Sequence, residues 1–166
     1  MAIHSPVEVT DNYIKASAAK AKSPAWRLFV LAFFAGILVS LGAIASSTAA
    51  QGIADTGTAR FISGAIFPIG LMMVVLLGTE LFTGNALMVT AAMDRLITWG
   101  ALFRNWVIVY VGNFAGAIVM AALMAFFGQL NIGGGSLAAY TVKVAAAKCS
   151  LPWMDAFVLG IFCNLL

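Results

Sequence analysis

A polar interruption inside a long apolar segment constrains this chain more than any other feature of its sequence. Residues 61–93 form a 33-residue apolar segment, whereas a single membrane crossing needs only about 20 residues. Its middle, residues 78–85 (GTELFTGN), contains an acid, two threonines, two glycines and an asparagine, which are costly in hydrocarbon. Non-helical backbone at membrane depth must be surrounded by protein or line a cavity.

The interruption predicts a broken helix, with helical parts at residues 61–77 and 86–93 and an irregular loop between them. Broken helices of this kind carry the substrate sites of many transporters. The alternative is a re-entrant or surface loop between two short apolar segments, because residues 86–93 are too few to cross a membrane alone.

The composition identifies the class of protein. The chain is 63% hydrophobic and 9% charged, with a mean hydropathy of +1.02, whereas average chains are about 25% charged. The apolar runs do not alternate with polar residues, as the strands of a membrane barrel would. We therefore expect an all-α polytopic membrane protein in a lipid bilayer. The net charge of +3 comes without a clustered basic patch, so no nucleic-acid partner is expected.

Few residues in the chain could support chemistry. Its two cysteines, Cys149 and Cys163, form no CxxC pair, and its single histidine, His4, lies in the polar N-terminal tail. These spacings predict no metal site and no disulfide framework. Neither a cofactor motif nor a nucleophile–base set is visible, so we expect no cofactor and no enzyme.

The N-terminal part, residues 1–25, is polar. Ser5, Pro6 and Glu8 match a helix-capping box with proline in the first turn. The apolar residues that follow fall roughly on one face, which predicts an amphipathic helix lying on the membrane surface.

The remaining chain, residues 26–166, is interpreted as the membrane domain. The last crossing begins at Pro152 and has 15 residues, about 22 Å of helix against a hydrocarbon core of about 30 Å. We therefore expect this chain to be a fragment of a longer protein. The expected crossings are residues 27–46, 61–93 (broken by 78–85), 105–127 and 152–166 (incomplete).

The distribution of basic residues predicts the orientation, because cytoplasmic loops carry an excess of Lys and Arg. Six such residues lie in the N-terminal tail and the loop after the broken helix, and three lie in the other two loops. We expect a cytoplasmic N-terminus. The first group is Lys15, Lys20, Lys22, Arg27, Arg95 and Arg104; the second is Arg60, Lys143 and Lys148.

Three motifs in order and spacing resemble the formate/nitrite transporter family, which includes hydrosulfide channels. They are residues 78–85 (GTELFTGN), 104–113 (RNWVIVYVGN) and 160–165 (GIFCNL). The resemblance implies an aquaporin-like inverted-repeat bundle, with a broken second helix and a first half supplied by this chain. It also implies a homopentamer with one pore per protomer in the plasma (inner) membrane of a prokaryote.

The resemblance also implies roles for individual residues. Thr83 matches the threonine that hydrogen-bonds the family's central histidine, which is on the fifth helix and absent from this chain. Phe67 matches the outer constriction, and Leu71 and Phe82 match the inner one. The complete expected substrate path is Thr83, Phe67, Leu71, Leu81, Phe82, Lys148 at the outer vestibule and Asn164 on the fourth helix.

Some of these residues also have plain structural readings. Thr83 could simply cap the short helix that follows the break, and Phe67 could be ordinary core. A carboxylate in an anion path would repel the substrate, so we expect Glu80 to pair with a cation or a backbone donor. Gly78, Gly84 and Asn85 are expected to have structural roles at the break.

Together these features predict a channel or transporter for small monovalent weak-acid anions: formate, nitrite or hydrosulfide. An apolar constriction opposes a bare anion, so passage is expected to involve protonation. The alternative is a membrane-embedded structural subunit or enzyme of an anaerobic respiratory complex, although a scaffold gains nothing from a broken helix.

Overall fold

The computed structural model describes residues 4–165, with side chains through Phe162. Within this part of the chain every regular element is helical, in agreement with the all-α prediction. The elements are α1 (Pro6–Ala21), α2 (Ala25–Ala50), α3 (Thr56–Ile66), α4 (Pro68–Leu76), α5 (Phe82–Ala86), α6 (Val89–Met93), α7 (Trp99–Phe126), a 3-10 turn (Gln129–Asn131), α8 (Ser136–Cys149) and α9 (Trp153–Leu165).

Among residues 4–165, three apolar spans are long enough to cross a membrane. They are α2 with 26 residues, α3 and α4 together with 21, and α7 with 28. At 1.5 Å per residue, even the shortest is about 30 Å long, which matches the hydrocarbon core. The helices α8 and α9 meet at an angle of 101° and could form a fourth, bent span. The fold is therefore that of a multi-pass membrane protein.

The helices begin and end a few residues away from the expected crossings because polar residues cap them. The side chain of Asp55 accepts a hydrogen bond from the amide of Thr58 at 2.6 Å, so α3 begins at Thr56. The side chain of Thr98 accepts one from the amide of Ala101 at 3.2 Å, so α7 begins at Trp99 instead of near residue 105. Each capping residue starts its helix, and so ends the preceding loop, several residues before the apolar segment begins.

Helix α2 lies at the centre of the bundle and packs closely on α7 and α4. A Cβ atom on Gly116 would lie 2.1 Å from the carbonyl oxygen of Phe33, and one on Gly42 would lie 2.9 Å from the Cα of Gly70. Small residues allow helix backbones to approach this closely. Gly112 and Gly116, which form a GxxxG pair, therefore serve packing within the chain.

Helix α1 packs against protein, which the amphipathic pattern alone did not predict. Its capping box is present: the Ser5 hydroxyl accepts from the amide of Glu8, and the Glu8 carboxylate accepts from the amide of Ser5. Its apolar face, however, contacts a buried cluster between α6 and α7 rather than being left free for lipid. The α1 residues are Ile14, Ala18 and Ala21, and the cluster is Met88, Ala91, Ala92, Ile97 and Leu102.

The break after α4 is real but shorter than the predicted loop of residues 78–85. Gly78 has a φ of +61°, and the amides of Gly78 and Thr79 donate to the carbonyls of Val75 (3.2 Å) and Val74 (3.1 Å). These are the two bonds of a Schellman motif, which ends a helix at a left-handed glycine. Residues 82–86 are then helical again as α5, so Gly84 and Asn85 lie within a short helix and not in irregular chain.

Candidate functional site

A cleft of about 480 Å³ lies beside the helix break, between α1, α4 and α5. It brings together all four residues predicted to have structural roles at the break and three of the predicted substrate-path residues. The walls contributed by α4 are apolar, whereas the loop and α5 contribute polar groups. The lining residues are Lys20, Leu71, Val74, Val75, Gly78, Thr79, Glu80, Leu81, Thr83, Gly84 and Asn85.

One side of this cleft is an ion pair. The Lys20 Nζ lies 2.9 Å from Oε2 of Glu80 and 2.9 Å from Oδ1 of Asn85. The Asn85 Nδ2 also donates to the same Glu80 oxygen at 2.7 Å. The three groups therefore satisfy one another where water is largely excluded, which a buried charge requires. Lys20 comes from α1, so the ion pair joins the N-terminal helix to the break.

The polar network continues into α7. The Asn85 Nδ2 donates to Oδ1 of Asn105 at 2.9 Å. Both asparagines are completely buried, and the Asn105 Nδ2 has no hydrogen-bond partner among the described residues. The network thus links α1, the break and α7 through side chains that are largely excluded from water.

The backbone of α5 is also held from two sides. The Tyr13 hydroxyl on α1 donates to the carbonyl of Gly84 at 2.5 Å, and the Trp106 Nε1 on α7 donates to the carbonyl of Asn85 at 2.9 Å. Both carbonyls also accept backbone amides, that of Gly84 from Leu87 at 3.2 Å and that of Asn85 from Met88 at 3.1 Å. The Tyr13 and Trp106 side chains therefore add a second bond to each carbonyl and hold the end of α5 against α1 and α7.

A second cleft, of about 290 Å³, lies on the α2 and α7 side of the break. Leu81, Phe82 and Thr83 line it together with Asn113 and apolar residues of α2 and α7. The Phe82 ring packs edge-on against Tyr110, with a centroid distance of 5.5 Å. Leu81 and Thr83 line both clefts, so this short stretch separates them.

Asn113 connects the break to α2 and α7. Its Nδ2 donates to the carbonyls of Ala32 at 2.8 Å and Glu80 at 2.9 Å. Its Oδ1 accepts the amide of Phe82 at 2.9 Å. A side-chain amide at membrane depth needs hydrogen-bond partners, and the partners of Asn113 include the backbone of the break itself.

The structure does not support Thr83 as a capping residue. The helix begins at Phe82, Leu81 occupies the cap position, and no side-chain capping bond is formed there. Thr83 lies in the first turn with an exposed side chain, so its hydroxyl faces the clefts.

The other predicted path residues lie elsewhere. Phe67 lies between α3 and α4, with 47% of its surface exposed, away from both clefts. Lys148 lies in the last turn of α8 and is exposed. Asn164 falls in α9, but its side chain is outside the described residues.

Three residues of the polar network were not singled out from the sequence: Tyr13, Lys20 and Asn105. The amphipathic pattern places Tyr13 and Lys20 in a surface helix and indicates no contact with the break. One signal was available for Lys20, because a carboxylate at membrane depth requires a nearby cation. Asn105 stands in the motif of residues 104–113, but nothing in the sequence connects it with Asn85.

The family model described as formate/nitrite transporter matches residues 7–166. The chain belongs to the formate/nitrite transporter family. A solved structure titled "FNT family ion channel" has a TM-score of 0.74 and 26% identity, covering 88% of this chain and 59% of that one.

Curated members of the formate/nitrite transporter family are also similar in sequence. The formate channel FocA of Haemophilus influenzae is 35% identical over 97% of this chain and 57% of its own length. FocA of Escherichia coli K12 is 33% identical over 89% of this chain and 52% of its own length. The formate channel BtFdhC of Bacillus thuringiensis is 31% identical over 99% and 64%. The chain thus spans between about half and two thirds of the lengths of these relatives.

Proposed function

We propose that this chain forms part of a pore for small monovalent anions of weak acids: formate, nitrite or hydrosulfide. The observation that carries the proposal is the broken helix, where Leu81, Phe82 and Thr83 separate two clefts. A buried ion pair and asparagine network hold this stretch in place. Relatives named as formate channels support the substrate class.

The chemistry of the lining explains why a weak acid suits such a pore. Leu71, Leu81 and Phe82 offer no groups that replace the hydration of an ion, so a bare anion would bear a large desolvation cost there. The neutral acid form escapes most of this cost. We infer that the substrate is protonated where it passes the apolar part, and is an anion again beyond it.

Two polar groups assist this passage in the proposal. The exposed hydroxyl of Thr83 can hydrogen-bond a substrate oxygen or the histidine that the family resemblance implies. Lys148, as a cation at the outer mouth, would raise the local concentration of anions. Asn164 is proposed to face the same pathway, and Phe67 to form its outer constriction with a residue from the second half.

The proposed assembly follows the family resemblance. It is an aquaporin-like, inverted-repeat protomer within a homopentamer, in the inner membrane of a prokaryote, with the N-terminus in the cytoplasm. The packing of α1 beneath the break supports placing both on one side of the membrane. The excess of Lys and Arg near α1 supports the cytoplasmic side.

The test is uptake of labelled formate by proteoliposomes that contain the natural full-length protein with this sequence. We expect uptake well above empty vesicles, rising as the external pH falls toward the pKa of formic acid, with nitrite and hydrosulfide as competitors. A protein that assembles normally but moves none of the three would contradict the proposal and favour a structural subunit.

A further inference from the structure

Asn113 is remote from the break in sequence, yet all three of its hydrogen bonds go to backbone groups in or beside the break. Its amide makes three hydrogen bonds to backbone groups of two other segments, at 2.8, 2.9 and 2.9 Å. The partners are the carbonyls of Ala32 and Glu80 and the amide of Phe82. An asparagine amide offers two donors and one acceptor oxygen, so both donors and the oxygen are engaged.

The break depends on these bonds because its own backbone cannot provide them. The Phe82 amide is one of the first donors of α5 and has no intrahelical partner. Leu81 at the cap position supplies no side-chain acceptor. Unpaired backbone groups at membrane depth are costly, and Asn113 supplies the partners from α7.

A tight helix crossing keeps Asn113 within reach. A Cβ atom on Gly36 would lie 2.1 Å from the carbonyl oxygen of Asn113, and one on Gly112 would lie 2.6 Å from the Cβ of Ala32. Any larger residue at Gly36 would therefore separate α2 from α7. The glycines place the Asn113 amide where it can bridge Ala32 and the break.

The hydrogen bonds of Asn113 fix the backbone on both sides of a residue that lies between the two clefts. Its partners Glu80 and Phe82 flank Leu81, and Thr83 follows directly. Leu81 and Thr83 are the residues that line both clefts. Leu81 and Thr83 therefore form the partition between the two clefts. A shift of the backbone at Glu80 or Phe82 would move this partition.

We propose that Asn113 is a positioning residue for permeation: it holds the backbone on both sides of Leu81, and thereby sets the width of the partition and the location of the Thr83 hydroxyl. The proposal rests on the proposed function. Asn113 acts through Leu81 and Thr83 and need not contact the substrate. Its loss would weaken size discrimination as well as rate, whereas loss of an ordinary packing residue would lower only stability.

The first experiment compares Asn113→Leu and Asn113→Asp with the parent protein and with Ser46→Ala. Leucine has a similar volume but no polar groups, and aspartate keeps an acceptor for the Phe82 amide but loses the amide donors. Ser46→Ala is the matched control, because its hydroxyl joins α2 to the Ser63 carbonyl of α3 at 3.0 Å, away from the break. Formate and acetate uptake are measured per assembled pore in proteoliposomes of the natural full-length protein.

We expect Asn113→Leu to lower formate uptake by about tenfold or more, because displacements of about 1 Å at a reacting group have large effects on rate. We also expect it to raise the acetate-to-formate ratio. Asn113→Asp should change uptake and ratio in the same direction, because its carboxylate oxygen faces the Ala32 and Glu80 carbonyls without a donor. Ser46→Ala should keep the parent ratio. Unchanged uptake and ratio per pore in both Asn113 variants would overturn the proposal.

A second measurement does not depend on transport. With Cys149 and Cys163 replaced by serine, Thr83→Cys is labelled with a small thiol reagent in the presence and absence of Asn113→Leu. Thr83 is already exposed, so the labelling rate reports how wide the clefts beside it are. We expect it to rise about fivefold, the factor that corresponds to one net hydrogen bond. Combining Thr83→Cys with Ser46→Ala should not accelerate it. If the parent protein moves no anion, the proposed function fails, and an unchanged labelling rate would then refute the positioning role separately.

Discussion

Lys20 and Glu80 are 60 residues apart in sequence, yet Nζ of one lies 2.9 Å from Oε2 of the other. The pair joins α1 to the helix break. The two side chains are not equally buried: 29% of the Lys20 side chain is exposed, against 9% for Glu80. A lysine can extend its ammonium group toward water, whereas the Glu80 carboxylate has no such freedom.

This asymmetry predicts that Lys20→Met destabilises the protein more than Glu80→Gln. Removing the lysine leaves a buried carboxylate without its cation, which we expect to cost about 3 kcal/mol, the low end for a broken buried pair. Removing the carboxylate lets Lys20 reach water, so the cost should be smaller. Thermal unfolding of the purified variants in detergent measures both values. A larger loss for Glu80→Gln would show that the lysine is the more confined partner.

The ion pair also shows where sequence reasoning reached its limit. The polar residues within residues 61–93 were sufficient to predict the break, because their cost in hydrocarbon does not depend on a partner. They were also sufficient to predict that Glu80 needs a cation or a backbone donor. Which cation pairs with Glu80 depends on how α1 docks. A single sequence does not show such a long-range contact.

The same reason explains the correction at the break. The sequence predicts a loop at residues 82–86 because five residues cannot sustain a helix alone. The helix is held from other elements: Asn113 accepts the Phe82 amide, and Tyr13 and Trp106 donate to the carbonyls at its end. The packing of α1 on α6 and α7 was not predictable either, because an amphipathic pattern identifies an apolar face but not what covers it.

The ionisation of Tyr13 should weaken the docking of α1 at alkaline pH. Burial raises the pKa of Tyr13 above its ordinary value of 10.0, and the Glu80 carboxylate adds to this shift. Docked α1 therefore holds the phenolic proton more tightly than undocked α1, so docking should weaken as the pH rises above about 10. Hydrogen exchange of the α1 amides between pH 8 and 11 measures this, after correction for intrinsic rates.

Tyr13→Phe serves as the matched control for that measurement. It removes the bond to the Gly84 carbonyl, so α1 should dock more weakly at neutral pH by about 1 kcal/mol. It also removes the titrating group, so the additional loss of protection above pH 10 should disappear. The same alkaline loss in Tyr13→Phe would assign it to another group.

Cys149 tests the proposed orientation. It lies at the end of α8 and is exposed, on the side opposite to α1 in our proposal. A thiol reagent that cannot cross the bilayer should label Cys149 from outside intact cells, and Cys149→Ser should abolish that signal. Labelling only in inverted membrane vesicles would reverse the orientation.

Lys148 is expected to act by steering anions toward the mouth of the pore. Lys148→Ala should slow uptake chiefly at low substrate and low salt, because screening acts over about 8–10 Å near physiological ionic strength. Lys148→Arg should retain much of the uptake. Lys143→Ala, another exposed cation of α8, is a matched control for general surface charge. Identical uptake in the Lys148 variants and the parent at every salt concentration would leave Lys148 as a plain surface charge.

The structure favours a role for Thr83 in the substrate path over a role as a helix cap. Its side chain makes no capping bond in α5 and faces the clefts on both sides of the break. Thr83→Val keeps the shape and removes the hydroxyl, and Thr83→Ser keeps the hydroxyl and removes a methyl group. Because no cap is lost, neither variant should lower thermal stability by the roughly 1 kcal/mol that a cap contributes.

If the hydroxyl handles the substrate or its proton, formate uptake per assembled pore should fall strongly in Thr83→Val and persist in Thr83→Ser. Removing one well-placed hydrogen-bond donor or acceptor in a water-poor site typically lowers a rate by about 100-fold or more. Uptake and oligomer yield must be measured on the same preparations, because poor assembly would mimic a slow pore. Normal uptake per pore in Thr83→Val would remove Thr83 from the mechanism and leave the apolar side chains of Leu81 and Phe82 as the functional part of the partition.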